Sequence, residues 1–194
     1  MKPLPREFYA RDAVPLARAL VGTHLVVRRA RDQVQIARIV ETEAYRGPKD
    51  LACHARAGLT SRTKALFGPP GHGYVFLIYG MYDCFNVVGM AEGRGHAVLI
   101  RGVEPVSGLE EGHATNGPGR LTRALGITRA DNEVDLTGAR ARIWLTERTR
   151  RPSIAVTARV GVAYAGEWAD KPWRFLDADS KHVSRPSPRQ IGRG

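Results

Sequence analysis

The sequence predicts a mixed α+β single domain built on an antiparallel sheet, and three observations carry that prediction. Short segments of strand character recur along the whole chain, separated by glycine, proline and charged turns. Helical patterns are few and brief. No internal repeat and no long linker divides the 194 residues, a length that suits one sizeable core. One domain is expected over residues 1–180, with a basic, flexible tail over 181–194.

The elements follow in order. Asp12 caps a short helix whose apolar stripe is Val14, Leu16, Ala17 and Leu20, and Gly22 closes it. His24–Arg28 reads as a strand, Arg29–Gln33 as a polar turn, and Val34–Glu43 as the partner strand. Strand alternation puts Val34, Ile36 and Val40 on one face and Ile39, Glu41 and Glu43 on the other. Residues 46–73 form a structured connection punctuated by glycine and proline, a type of segment that often carries binding residues. Tyr74–Tyr79 is the strongest strand signal, and Asp83–Val88 returns after a bend at Gly80-Met-Tyr. Ala97–Arg101 is a neighbouring strand after the turn at Glu92–Gly95. Gly108–Gly119 is loop-like, and Arg120–Leu125 is an amphipathic helix ended by Gly126. Arg142–Leu145 and Ile154–Val162 read as two further strands.

Composition narrows the partner. Lys and Arg number 30 against 19 for Asp and Glu, a formal charge of +11 with a pI of about 10.3. Twenty-five of the thirty are arginine, whose flat fork of donors matches phosphate oxygens. Nucleic acid is the leading partner; an arginine-rich codon usage is the bland alternative. No run approaches the ~20 apolar residues of a membrane span, and no secretory leader is expected. Two cysteines, Cys53 and Cys84, build no disulfide framework, so a cytoplasmic protein is expected.

Several residues could carry chemistry. Glu41, Glu43 and Tyr45 alternate, so two carboxylates and a phenol share one face of a strand. Either carboxylate can act as a general base if a cation orients it, and Arg101 at the end of its own strand is the candidate. The alternative is a structural pair between one of these glutamates and an arginine. His54, His72, Cys53 and Cys84 fit no compact metal spacing, so no metal and no cofactor are expected. Gly68-Pro-Pro-Gly-His-Gly73 lacks the features of a phosphate loop and reads as a turn. Tyr45, Phe76, Tyr79 and Tyr82 lie near His54 and Asn86, a set suited either to stacking on bases or to an ordinary sheet core.

Taken together, these segments resemble the alkyladenine family of 3-methyladenine DNA glycosylases in its bacterial form. The resemblance rests on Arg38-Ile-Val-Glu-Thr-Glu-Ala-Tyr45, Cys-His-Ala-Arg at 53–56, Tyr74-Val-Phe-Leu-Ile-Tyr-Gly-Met-Tyr82 and Cys84-Phe-Asn86. It continues through Val98-Leu-Ile-Arg101, Glu104-Pro105, Gly-Pro-Gly-Arg-Leu at 117–121, Arg159-Val-Gly-Val162 and Ala165–Phe175, and so spans about residues 8–180.

The resemblance implies a curved antiparallel sheet with surrounding short helices, and a monomer in the bacterial nucleoid acting on double-stranded DNA with a damaged purine. It implies Glu43 as the base that activates water and Arg101 as the residue that holds water and carboxylate. Tyr45 and His54 are implied as one wall of the base pocket, Phe76 as the opposite wall and Asn86 as its floor. Tyr79 is implied as the wedge that fills the gap left by a flipped nucleotide, and the backbone near Arg159–Val162 closes the pocket. Two departures stand out. Phe76 replaces a tyrosine of better-known members, and the 108–117 connection is short. Two other classes stay open on the residues themselves: a nucleic-acid binding module without catalysis, and an RNA-associated domain.

Overall fold

The computed structural model describes residues 1–30, 33–110, 112–138 and 140–185. Its strands are β1 (His24–Ala30), β2 (Gln33–Arg46), β3 (Gly73–Ile78), β4 (Tyr82–Gly89), β5 (His96–Ser107), β6 (Ile143–Thr146), β7 (Ile154–Thr157) and β8 (Arg174–Asp177). Every pairing between them is antiparallel. They form one sheet in the order β3-β4-β5-β2-β1-β6, with β7 and β8 off that path.

β2 is the axis of this sheet. One of its edges pairs with β5 from Ile36 to Arg46. The other pairs with β1 over 33–38 and then with β8 over 41–43. The sheet curves into a half-barrel with short helices around it, the α+β class that the sequence predicts.

The helices are α1 (Arg6–Tyr9), α2 (Ala13–Leu20) and α3 (Pro118–Leu125). Asp12 caps α2 by accepting the Val14 amide at 3.1 Å, which satisfies one of the orphan donors of the first turn. Ala13, Leu16, Ala17 and Leu20 recur at helical spacing and are fully buried. They join Leu25, Ile39, Phe85, Val87 and Ile100 in the main core. Each large apolar side chain buried this way stabilises the fold by about 1.5–3 kcal/mol. In α3, Pro118 presets the first turn and Gly126, at φ +58°, ends the helix in the left-handed conformation. The Thr122 hydroxyl donates to the Asp83 carbonyl at 2.8 Å and fixes α3 on β4.

The β3–β4 hairpin turns through Tyr79 and Gly80, at φ +53° and +68°. The Met81 amide closes it on the Ile78 carbonyl at 3.1 Å. Positive φ at both central residues matches the twist of the flanking strands, and glycine accepts it without strain. Tyr79 does not have that freedom, and it stands 80% exposed at the hairpin tip.

Three expectations are corrected. Ile39 does not share a face with Glu41 and Glu43. The β2–β5 register is irregular between Ile39 and Glu41, and this bulge shifts the alternation. Ile39 therefore joins Ala44 in the main core, while Glu41 and Glu43 turn the other way. Second, the strand expected to reach Val162 stops at Thr157, and the chain beyond it bends toward β2. Third, the expected tail begins too early. Ser184 within it is buried and tied to Glu41, a buried carboxylate that needs donors. Residues 186–194 of that tail, and 31–32 of the expected turn after β1, lie outside the described residues.

Candidate active site

The bulged end of β2 places Glu41 and Glu43 on one face, both with side chains of zero exposure. Their partners differ. Glu41 accepts from the Arg174 Nε at 2.7 Å, the Ser184 hydroxyl at 2.8 Å, the Ser184 amide at 2.5 Å and the Arg101 Nε at 3.2 Å. Glu43 accepts from the Val160 amide at 2.7 Å and the Tyr45 hydroxyl at 2.9 Å. Arg101 reaches Glu43 only at 3.4–3.5 Å. Of the two alternatives the sequence leaves open, Glu41 is therefore the structural pair, and Glu43 is the carboxylate with the looser cation.

Burial pushes the Glu43 carboxyl above its ordinary value, with the Arg101 charge, the Val160 amide and the Tyr45 hydroxyl pulling against it. Burial and the Arg62 cation hold the His54 imidazole below its ordinary value, so it is neutral at pH 7. Burial pushes Cys53 and Cys84 up to about 11, which leaves both as inert thiols.

A cavity of about 590 Å³ opens in front of Glu43, within the size range of small-molecule sites. Tyr45, His54, Phe76, Tyr79, Asn86 and Arg101 all line it, so six of the seven site residues that the resemblance implies converge there. Glu43 sits directly behind three lining residues, Tyr45, Arg101 and Val160, each of which contacts its carboxylate. The Arg159–Val162 segment closes this side of the cavity with Val160, Gly161 and Val162. Asn86 is fixed by its Nδ2, which donates to the Tyr74 carbonyl at 3.1 Å.

The expected division of the walls is revised. His54 does not stand across from Phe76: the two rings meet edge-on with centroids 4.5 Å apart, which leaves no room for a base between them. Tyr74 locks the pair, stacking on Phe76 at 5.3 Å and placing its hydroxyl 3.0 Å from the His54 Nδ1. His54 and Phe76 therefore form one wall together.

Sequence reasoning misses four supporting residues. Arg159 is fully buried, grips Asp50 through two bonds of 2.6 and 2.9 Å, and lies 4.8 Å from the centre of the Tyr45 ring. Arg174 and Ser184 hold Glu41. The signal for Arg159 and Arg174 is the unusual share of arginine, which the sequence assigns to external phosphate rather than to internal carboxylates. Among the described residues no three His, Cys, Asp or Glu side chains gather as metal ligands, and no helix is long and apolar enough to cross a membrane.

Fold and site together define a half-barrel domain whose aromatic cavity ends on a buried carboxylate held by an arginine, a phenol and a backbone amide. The family model of Methylpurine-DNA glycosylase (MPG) matches residues 7–181. A provisionally named 3-methyladenine DNA glycosylase of Myxococcus xanthus is 54% identical over 187 residues, covering 95% of each chain. One from Anaeromyxobacter dehalogenans is 53% identical over 193 residues, covering 95% of this chain and 88% of its own. One from the more distant Methanocella arvoryzae is 44% identical over 202 residues, covering 98% and 100%. The chain belongs to the methylpurine-DNA glycosylase family. It is thereby a DNA glycosylase of alkylated purines, the class of hydrolase that opens base excision repair.

Proposed function

We propose that the protein turns an alkylated purine nucleotide out of duplex DNA and hydrolyses its N-glycosidic bond, leaving an abasic site. The observation that carries this is Glu43, a buried carboxylate immediately behind an aromatic cavity and oriented by Arg101, Tyr45 and Val160. The base lies between Tyr45 and the His54–Phe76 wall. Tyr79, exposed at the hairpin tip, fills the vacated place in the stack. The excess of arginine draws the duplex in at long range.

The chemistry follows from these groups. Water enters on the Arg101 side, where the contacts to Glu43 are longest. Glu43 takes a proton as the water oxygen bonds to C1′, and its charge stabilises the oxocarbenium-like sugar. The C1′–N bond breaks and its electron pair leaves with the base. A cationic base such as 3-methyladenine or 7-methylguanine departs neutral and needs no acid. A neutral hypoxanthine or ethenoadenine needs a proton from solvent. Neutral His54 suits the first group, because an imidazolium there would repel a cationic base. Asn86, held in place by the bond from its Nδ2 to the Tyr74 carbonyl, disfavours the exocyclic amine of undamaged guanine by occupying its space. Phe76, lacking a hydroxyl, keeps the stacking and alters selectivity. No lysine lines the cavity among the described residues, which favours simple hydrolysis without strand cleavage.

The test is base release by the purified protein, with no metal added, from methylated DNA and from duplexes carrying 7-methylguanine, hypoxanthine or ethenoadenine. Free methylated base and intact strands with abasic sites are expected. Tight duplex binding with no base released from any substrate would overturn the proposal in favour of a binding module, and preference for RNA would favour the RNA-associated domain.

A further inference from the structure

We infer that Ser184 is a positioning residue for the catalytic centre: the segment Ser180–Arg185 crosses the sheet as a strap and its end sets Arg101 against Glu43. This rests on the reading of Glu43 as the general base.

The strap has a built seat. It passes over β5 at Gly102, where an added Cβ would meet the His182 carbonyl oxygen at 2.7 Å. The Ser180 hydroxyl donates to Glu104 at 3.1 Å, and the His182 Nδ1 lies 3.0 Å from the buried Thr115 hydroxyl. Ser184 then meets three charged side chains at once. Its amide and hydroxyl donate to Glu41, its hydroxyl oxygen accepts from the Arg101 Nη2 at 3.3 Å, and its carbonyl accepts from the Arg174 Nη2 at 3.0 Å.

The consequence runs through Arg101. Its Nε lies 3.2 Å from Glu41 and 3.4 Å from Glu43, so the two carboxylates share one guanidinium. The Ser184 hydroxyl supplies Glu41 with a neutral donor and gives Arg101 a neutral acceptor. Without it, Glu41 draws Arg101 closer and Glu43 loses its share of the cation. The charged and titratable groups facing Glu43 are Arg101 on β5, Glu41 and Tyr45 on β2, Cys84 on β4, Arg174 on β8 and Arg159 in the loop after β7. Of these, Arg101 exerts the strongest pull on Glu43 toward its ionised form.

The experiment compares full-length wild type, Ser184→Ala and Ser184→Thr in single-turnover release of 7-methylguanine from duplex DNA across pH. Ser184→Ala should release base roughly tenfold more slowly at neutral pH, the size expected for one hydrogen bond to a charged group. Its lesion affinity should be unchanged and its acid limb should move to higher pH. Ser184→Thr, which keeps the hydroxyl, should restore both. A merely structural role lowers the melting temperature and leaves the acid limb in place, so an unmoved limb in Ser184→Ala overturns the inference. If Ser184→Ala fails to fold, Ser180→Ala releases the other end of the strap from Glu104 without touching Glu41 and must shift the same limb. A wild type that releases no base fails earlier, and overturns the reading of Glu43 itself.

Discussion

The Tyr45 hydroxyl donates to the Glu43 carboxylate at 2.9 Å, from two residues along the same strand. One side chain thus presents its ring to the cavity and steadies the carboxylate behind it. Tyr45→Phe separates these duties, since the ring stays and the hydrogen bond goes. Excision should fall about tenfold or more with lesion binding nearly intact. Loss of a donor to the ionised form should also move the acid limb of the rate profile upward, which single-turnover assays across pH will show.

The wild-type profile has a predicted sign. Burial raises the Glu43 carboxyl above its ordinary 4.5, and the protonated acid cannot take a proton from water. The excision rate should therefore fall as pH drops, with an apparent pKa above 4.5. A flat profile through that region would show that Glu43 does not titrate in the rate-limiting step.

Tyr79 carries a positive φ that a tyrosine adopts only under strain. Tyr79→Gly relieves the strain and removes the wedge. Thermal unfolding should show a gain of about 1 kcal/mol, while excision from duplex DNA falls sharply. Excision from single-stranded DNA, which has no stack to fill, should fall much less.

Asp177 is buried at the centre of a cluster with Arg38 at 2.5 Å and Arg150 at 3.1 Å. Burial alone would raise its carboxyl, but the hydrogen bonds from Arg38 and the Asp179 amide, with the Arg38 and Arg150 charges, hold it below its ordinary 3.8. A depressed folded pKa stabilises above the unfolded value, and that stability is lost as pH falls through the folded one. Asp177→Asn should cost about 3 kcal/mol at pH 7, and the gap to wild type should narrow below about pH 4. Urea midpoints at pH 7 and at pH 3.5 measure it.

How far the site is legible in the sequence depends on the reach of each contact. Glu43 and Tyr45 are two residues apart in a strand, so alternation alone puts them together, and Gly80 marks the hairpin that exposes Tyr79. Ile39 misleads because a bulge two residues on shifts the alternation, and nothing in the local residue types announces it. Arg174 and Ser184 lie 133 and 143 residues from Glu41, and only the folded sheet brings them to it. The side of the cavity that His54 takes is set by the Tyr74 hydroxyl, a contact across 20 residues that the aromatic pattern does not encode.

The central claim is that Glu43 activates the water, and Glu43→Gln tests it most directly. The amide keeps the size of the side chain and its Oε1 can still accept from Val160, but it cannot take a proton. Single-turnover release from a 7-methylguanine duplex should fall by roughly a thousandfold or more, with the variant binding the lesion as tightly as wild type. Release within a few-fold of wild type at neutral pH, with no acid limb in either protein, would contradict the account.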